Sequence, residues 1–272
     1  MPSDSRRPLP PPIRVLVNGG STVVQQSTRA NERPGLSLSR LIEAKLFAAG
    51  CPAIVHTEAR PGGSSRTLLR TVDRDLVAWT PDVIILHTGH YESINLFIPR
   101  WFERHTMTTA ARPTPIRSFY RHKVLRKVYG LVRRVQTQAD KKSPTLLWRT
   151  ELKHILAVTE RYIQLAHRGG SPLVILVGTL PPAARFANPF PGMAERVELL
   201  NDGLRSLAES IALPDVVYLD TEALLLGDGS DLEEVAPDGA HYTRDWNERL
   251  GAALSARILE WAEKQDHLQI PH

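Results

Sequence analysis

The chain has almost no cysteine. Cys51 is the single one among 272 residues, so an intrachain disulfide is excluded and a reducing compartment is allowed. It lacks long apolar runs. The most hydrophobic stretch, residues 173–177, is far too short to span a bilayer. The N-terminus carries no apolar core of a secretory signal. It opens Met1-Pro2-Ser3-Asp4-Ser5-Arg6-Arg7 and runs into a proline cluster at 8–12 that only Leu9 interrupts. These absences point to a cytoplasmic protein with a loose tail over 1–12. Aromatics are scarce at 6%, but 42% of the residues are hydrophobic. That is enough for one large core, expected over 13–272.

Acidic residues are missing from one internal segment. Residues 98–154 hold 14 Lys/Arg and 3 Asp/Glu, a net of +11, whereas the remainder holds 20 basic and 26 acidic residues, a net of −6. The overall +5 therefore belongs to that segment and not to the whole surface.

Short apolar runs at 13–17, 53–56, 83–86, 173–177 and 216–219 read as five strands. Between them, helical periodicity or helix stops frame 36–49, 64–79, 150–166, 194–211 and 243–262. In the second of these, Leu68, Leu69, Val72 and Leu76 are expected to face inward. Thr243 is expected to cap the last helix through its hydroxyl. Strands alternating with helices imply a parallel sheet covered on both faces, with right-handed crossovers. Chemistry in such sheets gathers at the carboxyl ends of the strands. Residues 95–149 are too long for an ordinary connection. They contain a helical stretch over 118–138 with an apolar stripe (Phe119, Val124, Leu125, Val128, Leu131, Val132, Val135) beside a basic face. This is expected to be an inserted lid or docking element.

The residues that can carry chemistry lie at strand ends. Ser21 follows the turn Asn18-Gly19-Gly20, and Asp238 and His241 are separated by two residues in Asp238-Gly239-Ala240-His241. An Asp-x-x-His pair orients an imidazole that can deprotonate a serine brought close by the fold, giving a triad in the chain order Ser, Asp, His. A metal centre finds little support. His90 and Glu92 lack a clear third and fourth ligand, and no lysine follows Gly19-Gly20 as a phosphate loop requires. His56 and His87 read as core or site-wall residues, and Cys51 as structural. No cofactor is expected.

Four blocks together resemble the SGNH (GDSL-like) hydrolase and acyltransferase superfamily: Gly19-Gly20-Ser21-Thr22, Pro61-Gly62-Gly63-Ser64-Ser65, Gly89-His90-Tyr91-Glu92 and Asp238-Gly239-Ala240-His241. The resemblance implies a flavodoxin-like three-layer α/β/α sandwich on a five-stranded parallel sheet, with the basic helical insertion after the third strand. It implies acyl-ester or thioester chemistry through an acyl-enzyme on Ser21, with His241 as base and Asp238 orienting it. It also implies an oxyanion hole from the backbone N–H groups of Ser21 and Gly62 and a third-block side chain. The sequence departs from the family there, since Tyr91 occupies the asparagine slot. Either Tyr91 donates from a displaced backbone, or His90 or Asn95 substitutes, or the hole has two good donors. His90, Glu92 and Asn95 are candidate substrate contacts. The acyl group passes to water or to another acceptor.

Three readings of the basic stretch Arg121, Lys123, Arg126, Lys127, Arg133 and Arg134 stay open beside a plain solvated face: an acidic acyl carrier protein, a membrane surface, and nucleic acid, for which no binding motif is present. Alternative functions are a non-catalytic binder on the same fold and a peripheral membrane enzyme acting on lipid esters.

Overall fold

The computed structural model describes residues 11–27, 34–60, 65–94, 114–144, 148 and 150–265. Its centre is a five-stranded, all-parallel sheet in the order β2-β1-β3-β4-β5: β1 Ile13–Gly19, β2 Ala53–Ala59, β3 Val83–His87, β4 Leu173–Val177 and β5 Val216–Leu219. Every residue of β3 and β4 is buried. Those strands are covered on both faces, which is why they read as continuous apolar runs instead of alternating ones. Period-two geometry still sorts their side chains. Val83, Ile85, Ile175 and Val177 join one core with helices α1 (Leu38–Ala48) and α9 (Arg244–Ala262). Ile84, Leu86, Val174 and Leu176 join the other, with α4 (Leu152–Gly169) and α6 (Met193–Ser210). The result is the three-layer α/β/α sandwich expected from the element pattern. Among the described residues, no helix is long and apolar enough to cross a membrane.

The insertion contributes α2 (Pro115–Tyr120), a wide turn over Arg121–Leu125, and α3 (Arg126–Lys142). Between β4 and β5 stands the short α5 (Ala184–Ala187); after β5 come α7 (Thr221–Leu226) and α8 (Leu232–Val235). Strand β2 runs three residues beyond its expected end, because it pairs with β1 along its whole length.

Two local expectations fail. Residues 64–79 do not form one α-helix. A 3-10 turn spans Ser65–Arg70 and a wide turn spans Asp73–Ala78. Asp75 explains the break. It is buried, accepts from Thr71 Oγ1 at 2.6 Å and lies against Arg74 at 2.8 Å and Arg60 at 3.8 Å, so backbone winding yields to satisfying its charge. As a consequence Leu68 points into the core but Leu69 is exposed. Thr243 does occupy the N-cap position of α9, but its side chain makes no capping bond.

Candidate active site

The serine turn is set by β1. The strand ends at Gly19, where a Cβ would come within 2.9 Å of the His87 carbonyl oxygen, so only glycine lets β1 and β3 approach this closely. A 3-10 turn over Ser21–Val23 follows and lifts Ser21 above the sheet edge. The second turn, Asp238 to His241, arrives from the loop before α9. It reverses at Gly239, whose φ of +96° is in the left-handed region; a Cβ there would also strike Phe186.

These turns meet although 220 positions separate their ends. His241 Nε2 lies 2.8 Å from Ser21 Oγ, and His241 Nδ1 lies 2.7 Å from Asp238 Oδ2. A carboxylate only accepts, so Nδ1 carries the proton and donates to Asp238. Nε2 is then the bare nitrogen that accepts from the serine hydroxyl. The other carboxylate oxygen, Oδ1, accepts from the backbone N–H of Ala240 at 2.9 Å and of His241 at 2.8 Å. Burial pushes the Asp238 carboxyl upward, but the bonds from the His241 ring and from these two N–H groups outweigh it and hold the pKa at about 2. Asp238 is therefore a fixed anion that orients the ring.

A buried bridge ties the two turns together from behind. Thr22 Oγ1 is 3.2 Å from His87 Nδ1, and His87 Nε2 is 3.3 Å from the Tyr242 hydroxyl. Thr22 follows the serine and Tyr242 follows the histidine. Burial and the neighbouring His90 lower the His87 pKa to about 4, and burial raises that of Tyr242. Both are neutral hydrogen-bonding links.

Ser21 and His241 border a cleft of about 140 Å³, lined among others by His90, Tyr91, Ile94 and Phe186. The third block forms part of this wall. The Tyr91 ring packs with Ile94, Met193, Val197, Phe186 and Phe190. His90 Nε2 is 2.7 Å from the Leu180 carbonyl, which can only accept, so that nitrogen holds the ring proton. Burial, the larger cause, together with nearby groups lowers the His90 pKa to about 4. His90 is therefore neutral, with its Nδ1 buried beside the cleft and without a partner among the described residues. Glu92 lines the cleft too, but its Oε1 accepts from the backbone N–H of Ser65 and so clamps the end of the second block. Gly62 and Asn95 lie outside the described residues.

Several site-building residues escaped the sequence reading. Phe186 sits on the four-residue α5, too short to show periodicity. Arg196 is wholly buried in α6, with Nη1 2.5 Å from Asp140 Oδ1 of α3 and Nε 2.6 Å from the Ser93 carbonyl. A second Asp140 bond, from the Gly192 N–H at 2.8 Å, ties the insertion to the start of α6, and one from Trp148 Nε1 to the Glu92 carbonyl at 2.8 Å ties it to the third block. A signal did exist: Arg196 interrupts the apolar stripe Met193, Val197, Leu200, Leu204, and Asp140 is the one acidic residue in 114–142.

No known family profile and no curated protein sequence matches the chain. Solved structures do match it in fold. A lipase/acylhydrolase from Enterococcus faecalis superposes with a TM-score of 0.57 at 15% identity, covering 92% of this chain and 96% of that one. A GDSL-like lipase from Bacteroides thetaiotaomicron gives 0.56 at 12% identity, covering 91% and 88%. A catalytic mutant of an acetylxylan esterase from Geobacillus stearothermophilus gives 0.56 at 14%, covering 90% and 94%. The chain has the fold of these GDSL-like acylhydrolase and esterase structures.

Proposed function

We propose that this chain is a serine esterase of the SGNH superfamily, a single catalytic domain over 13–272 with 95–149 as an inserted lid or docking element. The observation that carries the reading is the hydrogen-bonded line Ser21–His241–Asp238 at the mouth of a partly apolar cleft. Its chemistry follows from the proton positions. His241 Nε2 takes the Ser21 proton as Oγ bonds to the ester carbonyl carbon. The resulting oxyanion collapses, the alkoxide leaves with the proton from His241, and Ser21 stays acylated. Water, deprotonated by the same nitrogen, then attacks the acyl-enzyme; the acid departs and Ser21 recovers its proton. Asp238, anionic throughout, stabilises the imidazolium formed in each half.

For the oxyanion hole, the backbone N–H of Ser21 is a fitting donor, because it opens a 3-10 turn and the first N–H groups of a helical turn have no partner within it. Gly62 and Tyr91 complete the hole in this reading. Tyr91 serves first as cleft wall, so the hole has two strong backbone donors and a weaker third. His90 lines the cleft as a candidate substrate contact.

The size of the cleft favours a short acyl group. A cavity of about 150 Å³ admits a molecule of benzene's size, and the cleft here is about 140 Å³. That the fold is shared with an acetylxylan esterase agrees with this. The test is intact-protein mass after fluorophosphonate treatment, with turnover of p-nitrophenyl acetate, butyrate, octanoate and palmitate. One adduct on wild type, none on Ser21→Ala, slower labelling of His241→Ala and preference for the two short esters are expected. Unchanged turnover by Ser21→Ala would sink the mechanism, and absence of any adduct or turnover in folded protein would favour a non-catalytic binder. Should an added alcohol capture the acyl group in preference to water, the enzyme is a transferase; thioester substrates are tested in the same assay.

A further inference from the structure

Among the described residues, the outward face of α3 has no counterpart. From the wide turn onward, Val124, Val128, Leu131 and Val135 recur at intervals of four, three and four, and all are exposed, Leu131 at 64%; Phe119 extends the row at 64%. Spacings of three and four place side chains on one helix face. Alongside runs a second row, Lys123, Lys127, Arg134 and Lys141, also exposed. Among the described residues none of these four cations makes an ion pair. The side chains of Arg121, Arg126 and Arg133 lie outside the described residues. Residues 114–142 carry nine Lys/Arg and a single acid, Asp140, which is buried against Arg196 on the opposite, inward face with Leu125 and Gln136.

We infer that this face of α3 docks on an anionic lipid bilayer. An apolar row sinks into the acyl boundary while flanking Lys and Arg reach the headgroups, which is the physics of an in-plane amphipathic helix. Three observations select this occupant. Two copies of the chain pairing through the face would oppose their cationic rows. A convex helix needs a receiving groove in a protein partner, whereas a bilayer yields to it. The charge is also divided: the net −6 outside 98–154 is repelled by the anionic surface, so the molecule approaches with the insertion foremost. The Asp140–Arg196 pair and the Arg196 bond to Ser93 O then hold the third block, and with it the cleft, near the lipid. The inference stands on the helix face and not on the esterase reading.

The experiment is co-sedimentation of the full chain with vesicles of phosphatidylcholine alone, and of phosphatidylcholine mixed with phosphatidylserine, at low and high salt. Wild type is expected to pellet with the mixed vesicles at low salt and to stay in solution with phosphatidylcholine. Lys123→Glu/Lys127→Glu/Arg134→Glu should weaken partitioning by about a hundredfold or more, and Val128→Ser/Leu131→Ser by about tenfold. Both variants change exposed side chains, so turnover of soluble p-nitrophenyl acetate should match wild type in each. No pelleting with mixed vesicles at low salt overturns the proposal. So does pelleting that Val128→Ser/Leu131→Ser leaves unchanged, which would mark a plain polyanion site. Binding of polyglutamate without binding of mixed vesicles would assign the face to an acidic protein and overturn it too. If vesicle binding holds while Ser21 proves inert, only the esterase reading fails.

Discussion

Asp238 shows how much rests on single atoms. One carboxylate oxygen fixes the backbone of its own turn and the other fixes the His241 ring. Asparagine keeps one oxygen but places an N–H₂ where the second acceptor was, so the ring loses the partner that holds the proton on Nδ1. We expect Asp238→Asn to fold and to lose about 10²- to 10⁴-fold in kcat on a short ester, with KM little changed. A KM effect alone would contradict the orienting role. His87 acts more indirectly, as a positioning residue. His87→Ala strands the Thr22 and Tyr242 hydroxyls and frees both turns. Fluorophosphonate labelling of Ser21 should slow about tenfold, and His87→Gln, whose amide bonds both ways, should recover part of the rate. Labelling of His87→Ala at the wild-type rate would remove the bridge from the mechanism.

Helix α6 carries the least obvious device at the scale of elements. Its apolar stripe seats it on the sheet, and Arg196 reaches out of that stripe to α3 and to Ser93. Neither charge of the Arg196–Asp140 pair is exposed at all. Removing one partner leaves the other uncompensated, which costs about 3–5 kcal/mol. Arg196→Met should therefore lower the urea midpoint sharply and impair labelling, because Ser93 and the third block lose their anchor. Arg196→Met/Asp140→Leu should recover much of the stability without the orientation of the third block. Equal midpoints for wild type and Arg196→Met would show that the pair is not closed in solution. The 65–78 segment teaches the converse: there a buried Asp75 decided against the helix that the apolar spacing suggested.

The whole molecule registers its buried histidines as acid sensitivity. His87 and His90 have folded-state pKa values near 4, against about 6.5 for a free imidazole. Between those pH values the unfolded chain binds protons that the folded one refuses, so stability rises with pH through this window and is lost as pH falls from 6.5 toward 4. The loss amounts to about 3 kcal/mol for each histidine at the low end. Asp238, depressed to about 2, adds a further loss as pH falls below 3.8. Urea unfolding at pH 7, 5 and 4 should show the decline, and His90→Asn should flatten it. A midpoint that does not move between pH 7 and 5 would mean that these rings are open to water.

The sequence by itself determined the sheet, the two layers and the triad candidates. Parallel strands buried on both faces must be short apolar runs, covering helices must be amphipathic, and glycines must sit where chains turn sharply. Each of these is a local requirement with a local signature. Ser21, Asp238 and His241 stand out as candidates because turn chemistry and strand ends mark them without reference to distant residues. What only the tertiary structure decided was every long-range partnership. The 220-residue gap between Ser21 and His241 closes at 2.8 Å because β1 and the loop before α9 end at the same edge. The His90 ring was fixed by donating from Nε2 to the Leu180 carbonyl, just beyond β4. Arg196 found Asp140 across a 56-residue separation, and Asp75 broke a helix to satisfy its own burial. Local periodicity records which face an element buries. Which charge waits on the other side is settled only when the elements pack.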